Sequence, residues 1–93
     1  MTSKGPPTLA ERVRLLSVLK RFPGERAALQ RLFQENSSFQ SLCDDYRECL
    51  AALQLWKQST SVDAPELSKA YAELLGELDQ EVRQFLEDGK RSR

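Results

Sequence analysis

The sequence predicts an all-α protein: a long antiparallel helical hairpin, resembling a coiled coil, with one or two shorter N-terminal helices packed on it. Two runs of apolar side chains, separated by a short polar loop, repeat at intervals of three and four residues, which is the spacing of helices that pack lengthwise on other helices. The first run consists of Phe39, Leu42, Tyr46, Cys49, Leu53 and Trp56. The second consists of Leu67, Tyr71, Leu74, Leu78, Val82 and Phe85. A composition that is 40% hydrophobic and 30% charged is typical of such helical proteins.

The first predicted helix covers residues 9–21. Thr8 and Glu11 have the spacing of a capping box, in which each side chain bonds the backbone amide of the other residue. Residues 1–7, which are rich in glycine and proline, are expected to form a disordered leader ahead of a single helical domain at 8–88.

The second predicted helix covers residues 23–35. Pro23-Gly24 ends the first helix, because a proline disfavours helical geometry in the residue before it and suits the first turn of a new helix. Asn36 or Ser37 is then expected to act as the N-cap of the third helix.

The third and fourth helices are predicted at about 37–58 and 64–87, and together they form the hairpin. Asp63, with Glu66 three residues later, marks the start of the fourth helix. Its end is expected near Gly89, so that residues 89–93 form a frayed basic tail.

The hairpin carries more apolar side chains than two helices can cover. Either the first two helices fold back over it, or a second copy of the chain does, as in a homodimer. The residual apolar surface is the expected binding surface, and Trp56 is the best anchor because it lies near the loop. The candidate interface residues are Phe39, Tyr46, Leu53, Trp56, Leu67, Leu74 and Phe85.

Charge is segregated along the chain, although the 14 basic and 14 acidic residues balance overall. Residues 1–36 carry a balance of +4, and residues 37–89 carry a balance of −7. Five acidic residues of the fourth helix are expected to form a stripe along one side: Glu66, Glu73, Glu77, Glu81 and Asp88. This stripe is interpreted as a solvated face, as a surface for a basic partner, or as a surface for the chain's own N-terminal helices.

The residues required for common enzymatic chemistry are missing, so the chain is predicted not to be an enzyme and to bind no cofactor or metal. It has no histidine, the commonest general base and metal ligand. Its two cysteines, Cys43 and Cys49, are six residues apart, lie on or beside the apolar run and are expected to behave as small hydrophobic residues. Unpaired thiols and a start without a secretory signal favour the cytoplasm.

The leading functional hypothesis is therefore a protein-protein interaction module that self-associates or grips a partner helix. The alternative is a regulatory nucleic-acid-binding protein that uses the basic N-terminal helices. This alternative is less well supported, since the acidic hairpin would repel a phosphate backbone. A membrane-surface role for the first helix is also conceivable, but no segment approaches the roughly 20 apolar residues of a membrane span.

Residues 22–86 also contain a pattern of spaced residues that is similar to a known family. The pattern consists of Phe22-Pro23, Leu29, Leu32, then Asn36-x-x-Phe39-x-x-Leu42-x-x-x-Tyr46-x-x-x-Leu50, and finally Leu78-Asp79-Gln80-Glu81-Val82. It resembles the YdcH-like small bacterial helical proteins, although Asp79 stands where that family tends to have lysine and the capped first helix is additional. The resemblance implies an antiparallel hairpin in a bacterial cytoplasm, a family without an established activity, and no catalytic residues.

Overall fold

The structure, a computed structural model, describes residues 8–91, and this part of the chain is all-α without a strand, which confirms the predicted fold class. Four helices and one 3₁₀ turn follow one another: α1 (Leu9–Arg21), the turn (Pro23–Glu25), α2 (Arg26–Glu35), α3 (Ser37–Lys57) and α4 (Ala64–Arg91). The leader predicted at 1–7 and the last two residues of the predicted tail lie outside the described residues.

Side-chain caps determine where α1 and α3 begin. Thr8 Oγ1 accepts from the Glu11 amide at 3.1 Å, and the Thr8 amide donates to Glu11 Oε1 at 2.9 Å, so both halves of the capping box are present. At α3, Asn36 Oδ1 accepts from the Phe39 amide at 3.0 Å. Asn36, not Ser37, is therefore the N-cap, and it satisfies an amide that has no partner within the helix.

Two helix ends differ from the prediction. Phe22 leaves the helical region ahead of Pro23, with φ −127° and ψ 65°, and the three residues that follow form a 3₁₀ turn instead of the first turn of α2. The frayed tail predicted from residue 89 is wrong as far as residue 91, because α4 continues to Arg91. Gly89 does not adopt the positive φ with which glycine usually ends a helix, so the helical backbone runs through it.

The four helices share one core. α3 and α4 form the largest interface, α1 packs on α3, and α2 touches α1, α3 and α4. The N-terminal helices thus dock on the hairpin of their own chain. Their buried side chains are Leu15, Val18, Leu19, Leu29 and Phe33. The hairpin contributes Phe39, Leu42, Cys43, Tyr46, Cys49, Leu78, Val82 and Leu86.

The docked helices cover only one end of the hairpin, so the molecule is elongated, with extents of 55 × 29 × 21 Å. We call the covered end the base, and residues 50–70 the tip. Leu53 and Ala64 are buried at the tip but lie outside the shared core. Leu55 and Val62, also at the tip, are largely exposed. Of the described helices, only α3 and α4 therefore form the tip.

The docking of α2 on the hairpin can be tested with matched leucine truncations. Leu29 is fully buried in α2, so Leu29→Ala should lower the free energy of unfolding by about 2–5 kcal/mol through lost burial and a residual cavity. Leu55→Ala, at an exposed position of α3, should change it by less than about 0.5 kcal/mol. Urea denaturation measures both values. Similar small losses in the two variants would contradict the docking.

Candidate functional site

Three of the seven candidate interface residues belong to the interior of the protein. Phe39, Tyr46 and Leu53 are all buried, the first two in the shared core and the third at the tip. The assignment of these three to a surface for a second chain is therefore wrong. Phe39 and Tyr46 pack into the core shared with α4 and the docked helices, and Leu53 is buried in the hairpin itself, so the same chain supplies the residues that cover all three.

The other four candidates are at least partly accessible, but they lie apart. Trp56 and Leu67 are half-buried at the tip. Phe85 is half-buried at the base, where its ring meets that of Phe39 edge to face at 5.2 Å between centroids. Leu74, in the middle of α4, is 42% exposed. The structure thus does not bring the candidates together, and only Leu74 presents a large exposed apolar surface.

Leu74 lines a groove of about 430 Å³ between α3 and α4. We call it the hairpin groove, and its walls are Asp45, Glu48, Cys49, Ala52, Tyr71, Leu74 and Leu78. The antiparallel register places Cys49 opposite Tyr71, and the Cys49 thiol donates to the Tyr71 carbonyl oxygen at 3.4 Å. The groove exists because α3 contributes small side chains, Cys49 and Ala52, to the face where α4 contributes large ones.

The rim of the hairpin groove is acidic on both sides. Asp45 and Glu48 stand exposed on α3. On α4, Glu77 and Glu81 follow Leu74 and Leu78 by three residues, a spacing that makes them neighbours on the helix surface. Among residues 8–91, none of these four carboxylates has a lysine or arginine within ion-pair distance. The groove therefore combines an apolar floor with uncompensated negative charge.

The acidic stripe on α4 was also interpreted as a surface for the chain's own N-terminal helices. Within residues 8–91, Glu66, Glu73, Glu77 and Glu81 form no ion pair with those helices, so this interpretation is wrong for these four residues. All five of its residues are exposed, and the ion pairs that join α1 to the hairpin use other carboxylates. One is a two-bonded pair, in which Arg14 donates to both oxygens of Asp44 at 2.9 and 2.8 Å. Arg14 also lies 5.0 Å above the Phe33 ring. Its hydrogen bonds hold the pKa of Asp44 below the usual value.

The second pair lies deeper, at Asp79. The Tyr46 hydroxyl donates to Asp79 Oδ1 at 2.7 Å, and Arg21 Nε donates to Asp79 Oδ2 at 3.3 Å. Burial and this hydrogen bond raise the pKa of Tyr46, so its hydroxyl remains a donor at neutral pH. Asp79 thereby joins α1, α3 and α4. In the sequence, Asp79 differed only from the pattern of the YdcH-like proteins that the chain resembles, and this difference did not predict its role.

A larger groove of about 630 Å³ lies at the base, between α2 and the end of α4. Half-buried Leu32 and Phe85 contribute to its walls. Two acidic and two basic side chains line it: Arg31, Glu35, Asp88 and Lys90. Because these charges have no common sign, the base groove does not select a partner by charge, and the hairpin groove is the better candidate site.

Sequence reasoning identified the α4 side of the hairpin groove but not its α3 side. It named Leu74 as an interface residue and Glu77 and Glu81 as part of the acidic stripe, but it gave no role to Asp45, Glu48 or Ala52. The available signal was the position of these three residues beside the apolar run of α3. Asp45, Glu48 and Ala52 follow one another at intervals of three and four residues, as neighbours on one side of a helix do. Sequence alone could not show that neither α1 nor α2 covers this side.

Neither a metal-binding cluster nor a membrane-crossing element occurs in the part of the chain that the structure describes. No three cysteine, aspartate or glutamate side chains there converge as metal ligands would. No helix within residues 8–91 has both the length and the apolar character needed to cross a bilayer.

Comparison with known proteins adds no family assignment. No protein-family model matches the chain, and neither a curated protein nor a solved structure shows significant similarity to it.

The hydrogen bond at Asp79 can be tested with two matched tyrosine substitutions. Tyr46→Phe should cost about 1.5–3 kcal/mol of unfolding free energy, because it removes a donor from a carboxylate that is only 13% exposed. Tyr71→Phe makes the same chemical change at a half-buried residue whose hydroxyl has no hydrogen-bond partner within residues 8–91, and should cost less than about 0.5 kcal/mol. Urea denaturation gives both values, and equal losses would argue against the assigned bond.

The cysteines should be unreactive in the folded protein. Burial raises the pKa of Cys43 to about 12 and also raises that of Cys49, so the thiolate fraction at pH 8 is smaller than for a free cysteine. We expect slow reaction with Ellman's reagent at pH 8 and fast reaction of two thiols in denaturing urea. The variants Cys43→Ala and Cys49→Ala assign the signals. Rapid native labelling of either thiol would contradict this expectation.

Proposed function

We propose that the protein is a non-enzymatic helical interaction module that binds an amphipathic, basic helix in the hairpin groove. The observation that carries the proposal is the apolar floor around Leu74 between two acidic rims. A helix laid in such a groove would bury its apolar face against Tyr71 and Leu74. Lysine or arginine side chains on its flanks would reach Asp45 and Glu48, which favours basic partners and orients them.

The groups around the groove are better suited to binding than to catalysis. Its carboxylates are exposed to water, and the raised pKa of Cys49 keeps that thiol protonated and weakly nucleophilic. No histidine is present to act as a base. We therefore propose that the protein is not an enzyme and uses no cofactor.

A nucleic-acid-binding role for α1 and α2 is the second candidate, and it has less support. Arg14 and Arg21, two of the basic residues on which it depends, are paired with Asp44 and Asp79. The open side of the hairpin is acidic and would repel phosphates. Retention of the protein on heparin at physiological salt would favour this candidate.

We further propose that the protein works in a bacterial cytoplasm. Two free, buried thiols fit a reducing compartment. The resemblance to YdcH-like proteins between residues 22 and 86 supports both this location and the helical-hairpin class, and it remains a prediction.

The groove can be tested with a fluorescently labelled synthetic peptide of leucine and lysine at helical spacing. We expect it to bind the wild-type protein at low salt, with a rise in anisotropy. Leu74→Glu should weaken this binding about tenfold or more, because a charge then occupies the apolar floor.

The same substitution separates groove binding from general attraction. Leu74→Glu adds a negative charge, so a purely electrostatic contact would become tighter and not weaker. Leu55→Glu, which alters an exposed leucine of α3 outside the groove, is the matched control and should retain binding. Equal or tighter peptide binding by Leu74→Glu would overturn the proposed function.

A further inference from the structure

α1 carries a second apolar face that no other part of residues 8–91 covers. Leu9, Val13 and Leu16 are 77%, 39% and 45% exposed and follow one another at intervals of four and three residues. We call these three residues the α1 stripe. This spacing places them on one side of the helix. The buried residues of α1, such as Val18, point the other way, into the shared core.

The charge beside the α1 stripe is positive. Arg12 lies three residues after Leu9, and Lys20 lies four residues after Leu16, so both adjoin the stripe. Arg12 and Lys20 are exposed, and within residues 8–91 neither has a carboxylate at ion-pair distance. The stripe thus has the chemistry that the hairpin groove selects: a short apolar face on a helix, with basic residues next to it.

The α1 stripe and the hairpin groove cannot meet within one chain. α1 is held on α3 through its opposite face, with Arg14 bonded to Asp44, so the stripe faces solvent. α1 makes no close backbone contact with α4, which forms one wall of the groove. Two complementary surfaces that cannot meet within one molecule can still meet between two molecules.

We propose that the hairpin groove of one copy receives the α1 stripe of a second copy. This inference rests on the proposed function, since it identifies the occupant of the same groove. The contact joins different surfaces of the two copies, so each pair leaves one stripe and one groove free for further copies. The α1 stripe consists of three residues, far fewer than the roughly 20–30 that each side of a standard stable interface contributes, so the assembly is concentration-dependent and weakens as salt screens the charges.

Sedimentation velocity of the full chain tests this proposal. We expect the weight-average sedimentation coefficient to rise with protein concentration at low salt, and to fall back toward the monomer value in 0.5 M salt. Leu16→Glu, which places an acid in the stripe, and Leu74→Glu, which places one in the groove, should each remain monomeric. Leu55→Glu alters neither surface and should associate like the wild type. Circular dichroism checks that all variants remain helical.

Mixing the two defective variants is the decisive step. Leu16→Glu keeps its groove and Leu74→Glu keeps its stripe, so an equimolar mixture should form a complex of two chains and no larger species. A contact between two stripes or between two grooves cannot produce this result. A mixture that stays monomeric, or a wild type that does not associate at any concentration, overturns the inference.

The leucine-lysine peptide distinguishes this failure from failure of the proposed function. A groove that binds the peptide in a protein that does not self-associate retains its role but takes a different partner. Vesicles containing phosphatidylglycerol test the remaining use of the stripe. Binding of wild-type monomers to them, lost in Leu16→Glu, would assign the stripe to a membrane surface and would likewise overturn the inference.

Discussion

The antiparallel packing of α3 against α4 is the contact on which the other features of this protein depend. It places Tyr46 beside Asp79 and Cys49 beside Tyr71, and it creates the surface on which α1 and α2 dock. The two sides of the resulting hairpin then differ. One side is covered by the N-terminal helices of the same chain, whereas no helix between residues 8 and 91 covers the hairpin groove on the other side.

Asp79 connects the hairpin to the docked helices. Its two oxygens accept hydrogen bonds from Tyr46 on α3 and from Arg21 on α1, so one carboxylate on α4 links three helices. A buried apolar interface permits small sliding movements, whereas two directional bonds to one acid favour a single register. Arg14 and Asp44 provide a second such point, nearer the surface and therefore weaker.

The exposed positive and negative charges of the protein lie beside different apolar surfaces. Arg14 and Arg21 are neutralised where α1 meets the hairpin, while Arg12 and Lys20 remain exposed beside the α1 stripe. The open side of the hairpin retains its acids. A chain with no net charge therefore presents a positive apolar face and a negative apolar face, which makes association between copies electrostatically favourable.

The sequence by itself determined the fold class and the local features that start and end helices, because spacing, capping residues and proline act over a few residues. The Thr8–Glu11 box is the clearest case. Only the tertiary structure decided which apolar residues are interior and which are surface. Tyr46 and Leu74 belong to apolar runs with the same spacing of three and four residues. Tyr46 is nevertheless covered by docked helices, whereas Leu74 borders an open groove. That difference depends on where α1 and α2 lie in space, which local periodicity does not encode.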